Sequence, residues 1–348
     1  MDSQTPYTDM LNLIAAPCFC VKDGVITACN AAADRLLLPL GEPVHKLLAT
    51  GREEYADFQS GSLYLTLDLG GTAFGASVER KGGYDFFLLE EENWNQELTA
   101  LALAAKDLRS PLAALTATVE SLSLRPETQE DAAHLNRGIA RMLRVLGNMS
   151  AAANPSHHPE LLDIRTLFEE VFQKAALQLE AADRRLVYQD LPVSLYTLAD
   201  PQELERAALN LLSNAAKFSP PGSEIRASLT RRGRMLYLTV QNPGEQIPEA
   251  IRGNVFHRYL RQPAIEDGRY GIGLGLVLVR SAAAHHGGTV LIDSPDGDGT
   301  RVTLTLAIRQ DVPKGFRSPI LRIDYSGERD HGLIELSDVL PADCYGEF

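Results

Sequence analysis

Between Pro17 and Leu89 the apolar residues come in short runs separated by turn signals. Cys18 to Val21, Lys22-Asp23-Gly24 and Val25 to Cys29 together read as a β-hairpin. A short helical stretch with Ala31, Ala32, Leu36 and Leu37 follows. Leu63 to Leu69, Thr72 to Val78 and Tyr84 to Leu89 then predict three more strands, with Gly70-Gly71 and Gly82-Gly83 at their turns. Residues 1–90 thus form a compact α/β module. From Trp94 to Leu122 no glycine occurs and the apolar period becomes helical, interrupted only by Pro111. Arg125-Pro126-Glu127-Thr128 is a turn, and Glu130 to Ala152 is a second helical run. The apolar stripe of this antiparallel hairpin, 91–155, is wide enough to need partners, so a second copy is expected to complete a dimeric four-helix bundle.

Beyond the linker Asn154-Pro155-Ser156 the elements intermix. Helices are predicted over Ile164 to Glu180, Gln202 to Phe218 and Leu274 to His286. Strands are predicted over Leu186 to Gln189, Ile225 to Leu229, Leu236 to Gln241, Thr289 to Ile292 and Arg301 to Leu306. Residues 156–310 are therefore an α/β sandwich, and the fold class is multidomain α+β. The acidic C-terminal tail, 311–348, has few helix signals and room for one strand at Ile320 to Tyr325.

Charge and composition narrow the function. A chain of 348 residues with 45% hydrophobic and 23% charged positions is long enough for several folded cores. Its formal charge of -13 disfavours nucleic acid as a partner. The longest apolar stretches, Leu101 to Ala105 and Leu274 to Ala284, are broken by Lys106 and Arg280, so no membrane span is expected. No basic region precedes an apolar block at the N-terminus, and a cytoplasmic location follows. Cys18, Cys20, Cys29 and Cys344 show no C-x-x-C spacing and read as small apolar residues rather than a redox or metal site.

Four blocks carry candidate chemistry. Gly271-Ile272-Gly273-Leu274-Gly275-Leu276 runs into a helix, whose N-terminal N–H groups make an anion site. A dinucleotide-binding reading fails, because the polar segment Arg261 to Tyr270 precedes it where a strand should. On the helix Gln202 to Phe218, Asn210, Asn214 and Lys217 share one face: two amides suited to a hydrated Mg²⁺ and an ammonium suited to phosphate. A solvated polar stripe does not explain amides placed among Leu211, Leu212 and Ala215. Asn242-Pro243-Gly244 ends a strand and can meet an adenine amino group. Phe256, Arg258 and Arg261 form an aromatic and basic cluster, and Asp298-Gly299-Thr300 precedes the last strand.

In this order and spacing the blocks resemble the nucleotide-binding domain of sensor histidine kinases, the Bergerat or GHKL fold, over roughly Glu160 to Arg309. The resemblance implies that ATP and Mg²⁺ are bound by an N box of Asn210, Asn214 and Lys217, with Mg²⁺ on the two amides. It implies a first glycine box of Asn242 and Gly244 around adenine, an F box with Phe256, and a second glycine box containing Gly271, Gly273, Leu274 and Gly275, with Arg258, Arg261 and Thr300 nearby. The family usually has Asp at 242 and Gly at 246; Asn242 and Gln246 here predict weaker ATP affinity. Lys106-Asp107-Leu108-Arg109-Ser110-Pro111-Leu112 resembles the H box of the dimerisation and phosphotransfer hairpin, usually H-E-L-R-T-P-L. Residues 1–90 resemble a PAS sensor domain.

Lys106 stands where the phosphoacceptor histidine would be. A free lysine amine holds its proton to about pH 10.4, so exposing its lone pair at pH 7 costs roughly 4.6 kcal/mol, whereas a neutral imidazole is available. Autophosphorylation at this position is expected to be lost. His134 on the second helix is read as a surface histidine rather than a substitute acceptor. Asp107 and Ser110 keep the pattern that, in the family, positions a water for removing phosphate from a response regulator. Three functions follow: an ATP-binding two-component protein acting on a response regulator or a partner histidine kinase; a protein kinase acting on another residue, as anti-sigma-factor kinases do; or a binding module switched by ATP or a PAS ligand. Anti-sigma-factor kinases lack the hairpin and sensor module.

Overall fold

The computed structural model describes residues 8–89, 94–153, 157–247, 256, 273–294, 299–309 and 329–348, with the backbone alone over 8–9 and 94–101. The N-terminal region comprises helix α1 (Thr8–Leu11), strands β1 (Cys18–Lys22) and β2 (Val25–Cys29), helices α2 (Ala31–Asp34) and α3 (Arg52–Asp57), and strands β3 (Ser62–Leu69), β4 (Thr72–Lys81) and β5 (Tyr84–Leu89). The strands pair antiparallel in the order β2-β1-β5-β4-β3. Asp23 and Gly24 both have positive φ, which matches the right-handed twist of the β1–β2 hairpin. Leu63, Leu65 and Leu67 point into one core with Val21, Ile26, Phe58 and the stacked pair Phe19 and Phe87, 4.6 Å apart. Cys18 and Cys20 are buried free thiols, and burial pushes Cys18 up to about 11, so it is a core residue and not a reactive one.

Helices α4 (Trp94–Ser123) and α5 (Gln129–Ala153) form the hairpin. Ala105, Leu112 and Val119 on α4 and Ala132, Ile139 and Leu146 on α5 recur at seven-residue spacing and bury against each other, the geometry of knobs-into-holes packing. Leu103, Leu108 and Leu115 on α4, with Leu135, Met142 and Val145 on α5, remain exposed.

The C-terminal half contains β6 (Glu160–Asp163), α6 (Ile164–Ala181), β7 (Arg184–Gln189), β8 (Tyr196–Ala199), α7 (Pro201–Phe218), β9 (Ser223–Arg232), β10 (Met235–Asn242), α8 (Gly275–His285), β11 (Val290–Asp293) and β12 (Thr300–Ala307). Five strands run β11-β12-β10-β9-β7, antiparallel except for the β7–β9 pair, and β6 pairs with β8 apart from them. Phe168 and Phe172 on α6, Leu204 and Leu212 on α7 and Val279 on α8 close over Ile225, Leu238 and Leu304 as a two-layer core. Leu274 and Leu278 belong instead to the hairpin core.

The two sheets are one. β3 pairs antiparallel with β11 through Tyr64 and Val290, Leu63 and Leu291, and Ser62 and Ile292, giving ten continuous strands. Glycine permits the approach: a Cβ on Gly61 would lie 2.0 Å from the Ile292 carbonyl oxygen, and one on Gly51 2.5 Å from Thr289 Cγ2.

The tail departs from expectation. The strand proposed at Ile320 to Tyr325 lies outside the described residues, but residues 329–348 contain helix α9 (His331–Glu335) and a 3₁₀ turn (Ala342–Tyr345) where few helix signals were read. Five residues are too few to show a period; tertiary contacts hold them. Asp330 caps Leu333 N–H and Gly332 lies where any Cβ would strike Gln178. Ile334, Leu336, Leu340 and Tyr345 are completely buried, an apolar contribution of roughly 1.5–3 kcal/mol for each aliphatic side chain.

Candidate functional site

Helix α7 carries the amide and ammonium stripe. Its start is fixed by Asp200, whose carboxylate accepts from Gln202 and Glu203 N–H, and by Pro201 in the first turn. Asn210 is fully buried, Asn214 is partly exposed, and the Lys217 side chain is 10% exposed. Asn210 Nδ2 donates to Arg206 O at 2.9 Å, whereas its Oδ1 is buried without a hydrogen-bond partner. A buried orphan oxygen of this kind suits a cation or a water held by one.

Close backbone approach draws the separate sequence blocks together at glycines. Gly275 opens α8 directly against α7: a Cβ there would lie 2.8 Å from Asn210 Oδ1. Leu274, at the helix cap, is buried and provides no side-chain cap, so the first-turn N–H groups remain the natural donors for an anion. Gly273 and Gly244 have positive φ, and a Cβ on Gly244 would lie 2.6 Å from Phe218 O at the end of α7. A Cβ on Gly299 would lie 1.9 Å from Asn242 O, and Gly299 N–H donates to Gly244 O at 3.1 Å. Asn242 is buried with its Nδ2 on Pro243 O, and Thr300 Oγ1 donates to Glu245 O. Phe256 is buried, its ring 5.7 Å from that of Tyr64 on β3; the Arg280 guanidinium lies 5.2 Å over the same tyrosine. Arg258, Arg261 and Gly271 lie outside the described residues. Lys106, Asp107 and Ser110 are exposed on α4, where Arg109 donates to Ser150 Oγ on α5 at 3.2 Å.

Residues with no signal in the sequence complete the surroundings of this stripe. Lys217 Nζ lies 2.7 Å from Asp338 Oδ2, and Asn210 Nδ2 is 3.4 Å from Glu335 Oε2. Arg144 of α5 bonds both carboxylates, Glu335 at 3.2 Å and Asp338 more closely. Burial acts to raise the Asp338 carboxyl, but Arg144 and Lys217 outweigh it and hold it below the usual carboxylate range.

At the other end of α7, Glu203 gathers histidines. Its two oxygens meet His157 Nδ1 at 2.8 Å and His285 Nδ1 at 2.6 Å, three potential metal-ligand groups within 4.8 Å of one another. Each of these atoms already has a hydrogen-bond partner, so the cluster is complete as a polar staple. The Glu203 bond raises the His285 pKa above its ordinary value, against the opposing effect of burial. Neighbouring His286 is held neutral: burial lowers its pKa, Nδ1 lies 2.7 Å from Ala282 O, and Nε2 accepts from Asp200 N–H.

A helix-backed mixed sheet with an amide stripe facing an uncapped helix start is an arrangement that could hold an anionic ligand between α7 and α8. Residues 199–310 match the family described as histidine kinase-, DNA gyrase B-, and HSP90-like ATPase. In sequence the chain is similar to sensor histidine kinases. It is 27% identical over 239 residues to the adaptive-response sensory kinase SasA of Microcystis aeruginosa, covering 64% of this chain and 61% of that one. It is 29% identical over 242 residues to the sensor-like histidine kinase SenX3 of Mycobacterium tuberculosis, covering 65% and 59%. Among solved structures, full-length ShkA in complex with AMPPNP matches with a TM-score of 0.49 and 20% identity, over 62% of this chain and 47% of that one. The chain thus spans about three fifths of the length of the curated relatives it matches.

Proposed function

We propose that this chain is a cytoplasmic, ATP-Mg²⁺-binding signalling protein of the two-component type that has lost autophosphorylation at the usual position and acts on a response regulator or a partner histidine kinase. The observation that carries the nucleotide reading is the orphaned Asn210 Oδ1 pressed against Gly275, beside Asn214 and Lys217. The residues present fit the group: Asn210 and Asn214 would hold Mg²⁺, the α8 N-terminus and Lys217 the phosphates, and Asn242 and Gly244 the adenine. When bound, Mg²⁺ supplies charge neutralisation on the phosphate oxygens.

The remaining assignments rest on sequence pattern and packing. Residues 1–90 are read as a PAS sensor, 91–155 as a dimerisation hairpin and 156–310 as the ATPase domain, with 311–348 as a C-terminal segment. The second apolar seam of the hairpin, with Leu108 and Leu115 facing out, supports a homodimeric four-helix bundle. Lys106, at the position of the phosphoacceptor histidine, is exposed on α4. Among the described residues no helix is long and apolar enough to cross a membrane.

The test is incubation with labelled ATP and Mg²⁺, with and without a response regulator. The expected result is nucleotide binding that falls about tenfold or more in Asn214→Ala, with no label on the wild-type chain. Label on a serine of the wild-type chain or of an added protein substrate would favour the protein-kinase alternative. A rate of phosphate loss from a phosphorylated response regulator that is higher with wild type than with Ser110→Ala would establish phosphatase action.

A further inference from the structure

Reading the α7 stripe as the nucleotide site leaves the carboxylates on it to be explained. Asp338 lies on the Lys217 ammonium and Glu335 against the Asn210 amide, the groups assigned to phosphate and metal. Residues 329–348 contain five acidic residues and one arginine, so the segment matches the charge of what the stripe is built to bind. It is also docked in depth. Tyr345 is fully buried and its hydroxyl donates to Leu333 O at 2.7 Å; Asn136 Nδ2 donates to Tyr345 O at 3.0 Å.

The grip comes from the hairpin. Arg137, Arg141 and Arg144 follow one another along a face of α5. Arg137 and Arg141 donate to the Ser337 and Asp338 carbonyls, and Arg144 holds both carboxylates. We propose that residues 329–348 are an internal anionic ligand of the nucleotide site, which ATP-Mg²⁺ must displace from Lys217 and Asn210 before it can bind. Asp338, 2.7 Å from the Lys217 ammonium, offsets the charge that would attract a phosphate, and a phosphate brought beside it is repelled by the carboxylate. Apparent nucleotide affinity is therefore the intrinsic affinity reduced by the fraction of chains with the segment released. Because the three arginines belong to the hairpin, a change in hairpin position alters that fraction, which makes the segment a route from sensor to nucleotide site.

The experiment titrates full-length protein with a fluorescent ATP analogue and Mg²⁺. Asp338→Asn removes the competing charge from Lys217, and Arg141→Gln loosens the segment without touching any residue assigned to the site. Both are expected to bind nucleotide more tightly, Asp338→Asn by about tenfold, the effect of one charge-assisted contact. In wild type, hydrogen exchange at the Leu336 and Leu340 amides, which bond within the segment, should speed up when nucleotide is added. Unchanged affinity in both variants, with binding still dependent on Asn214, would overturn the internal ligand and leave the nucleotide site standing. Binding that is absent, or indifferent to Asn214→Ala in the wild type and in the Asp338→Asn background, would remove the site itself and the proposal with it.

Discussion

Gly275 illustrates how a missing side chain sets chemistry. A Cβ on Gly275 would lie 2.8 Å from Asn210 Oδ1, so Gly275→Ala must displace the Asn210 amide from the face proposed for phosphate and metal. We expect a loss of about 1–3 kcal/mol in stability and a collapse of nucleotide binding, read by thermal melting and by titration with ATP-Mg²⁺. Lys106→His is the reciprocal change, adding a nucleophile to a turn of α4 that keeps Asp107, Arg109, Ser110 and Pro111. Label from ATP is expected in Lys106→His, and more when it is combined with Asp338→Asn; absence of label in both, with nucleotide bound, would mean that the geometry for transfer is also gone. The α7 stripe was legible because amides and an ammonium on one helical face among leucines have no packing reason. Asp338 and Glu335 were not, because acidic residues in an acidic tail look solvated, and the Glu335 to Asn210 contact spans 125 positions.

Long periodic elements declared themselves, and several of the shortest did not. Strand β5 and helices α4 and α5 lie within a residue or so of where the apolar period placed them, and the seven-residue recurrence in the hairpin core follows from the same pattern. Strands β6 and β8 have four residues each and α9 has five, too few for alternation or helical period to emerge, so they exist through neighbours. The exposed seam of the hairpin yields a prediction at this scale: Leu108→Asp with Leu135→Asp should convert a dimer to a monomer in light scattering while the ATPase domain stays folded. The staple from Glu203 to His285 yields a pH dependence. Since folding raises the His285 pKa, its contribution is fully present below the ordinary histidine value near 6.5 and is lost as pH rises through the folded value. His285→Ala should therefore lower the melting temperature relative to wild type more at about pH 6 than at about pH 8.5.

At the scale of the whole molecule, the β3–β11 pairing makes the N-terminal region and the ATPase sheet a single surface, and Tyr64 carries it to Phe256. Neither sheet alone announces this joint: the need of Gly51 and Gly61 for hydrogen in place of a side chain is visible only once Thr289 and Ile292 lie against them. A Cβ on Gly61 cannot be accommodated 2.0 Å from a backbone oxygen, so Gly61→Ala is expected to part the strands while each domain stays folded. Hydrogen exchange at residues 62–64 and 290–292 should rise by orders of magnitude, with the ATPase core protected as before.

Parting the strands also has a price in solubility. β3 and β11 are the outer strands of their own sheets, and each would otherwise present a row of unpaired N–H and C=O groups, the template on which foreign strands add. Here each hides the other. A signal that opened this joint would expose two sticky edges at once, so an open form would need to be brief, or its edges covered by a partner, for the protein to escape aggregation.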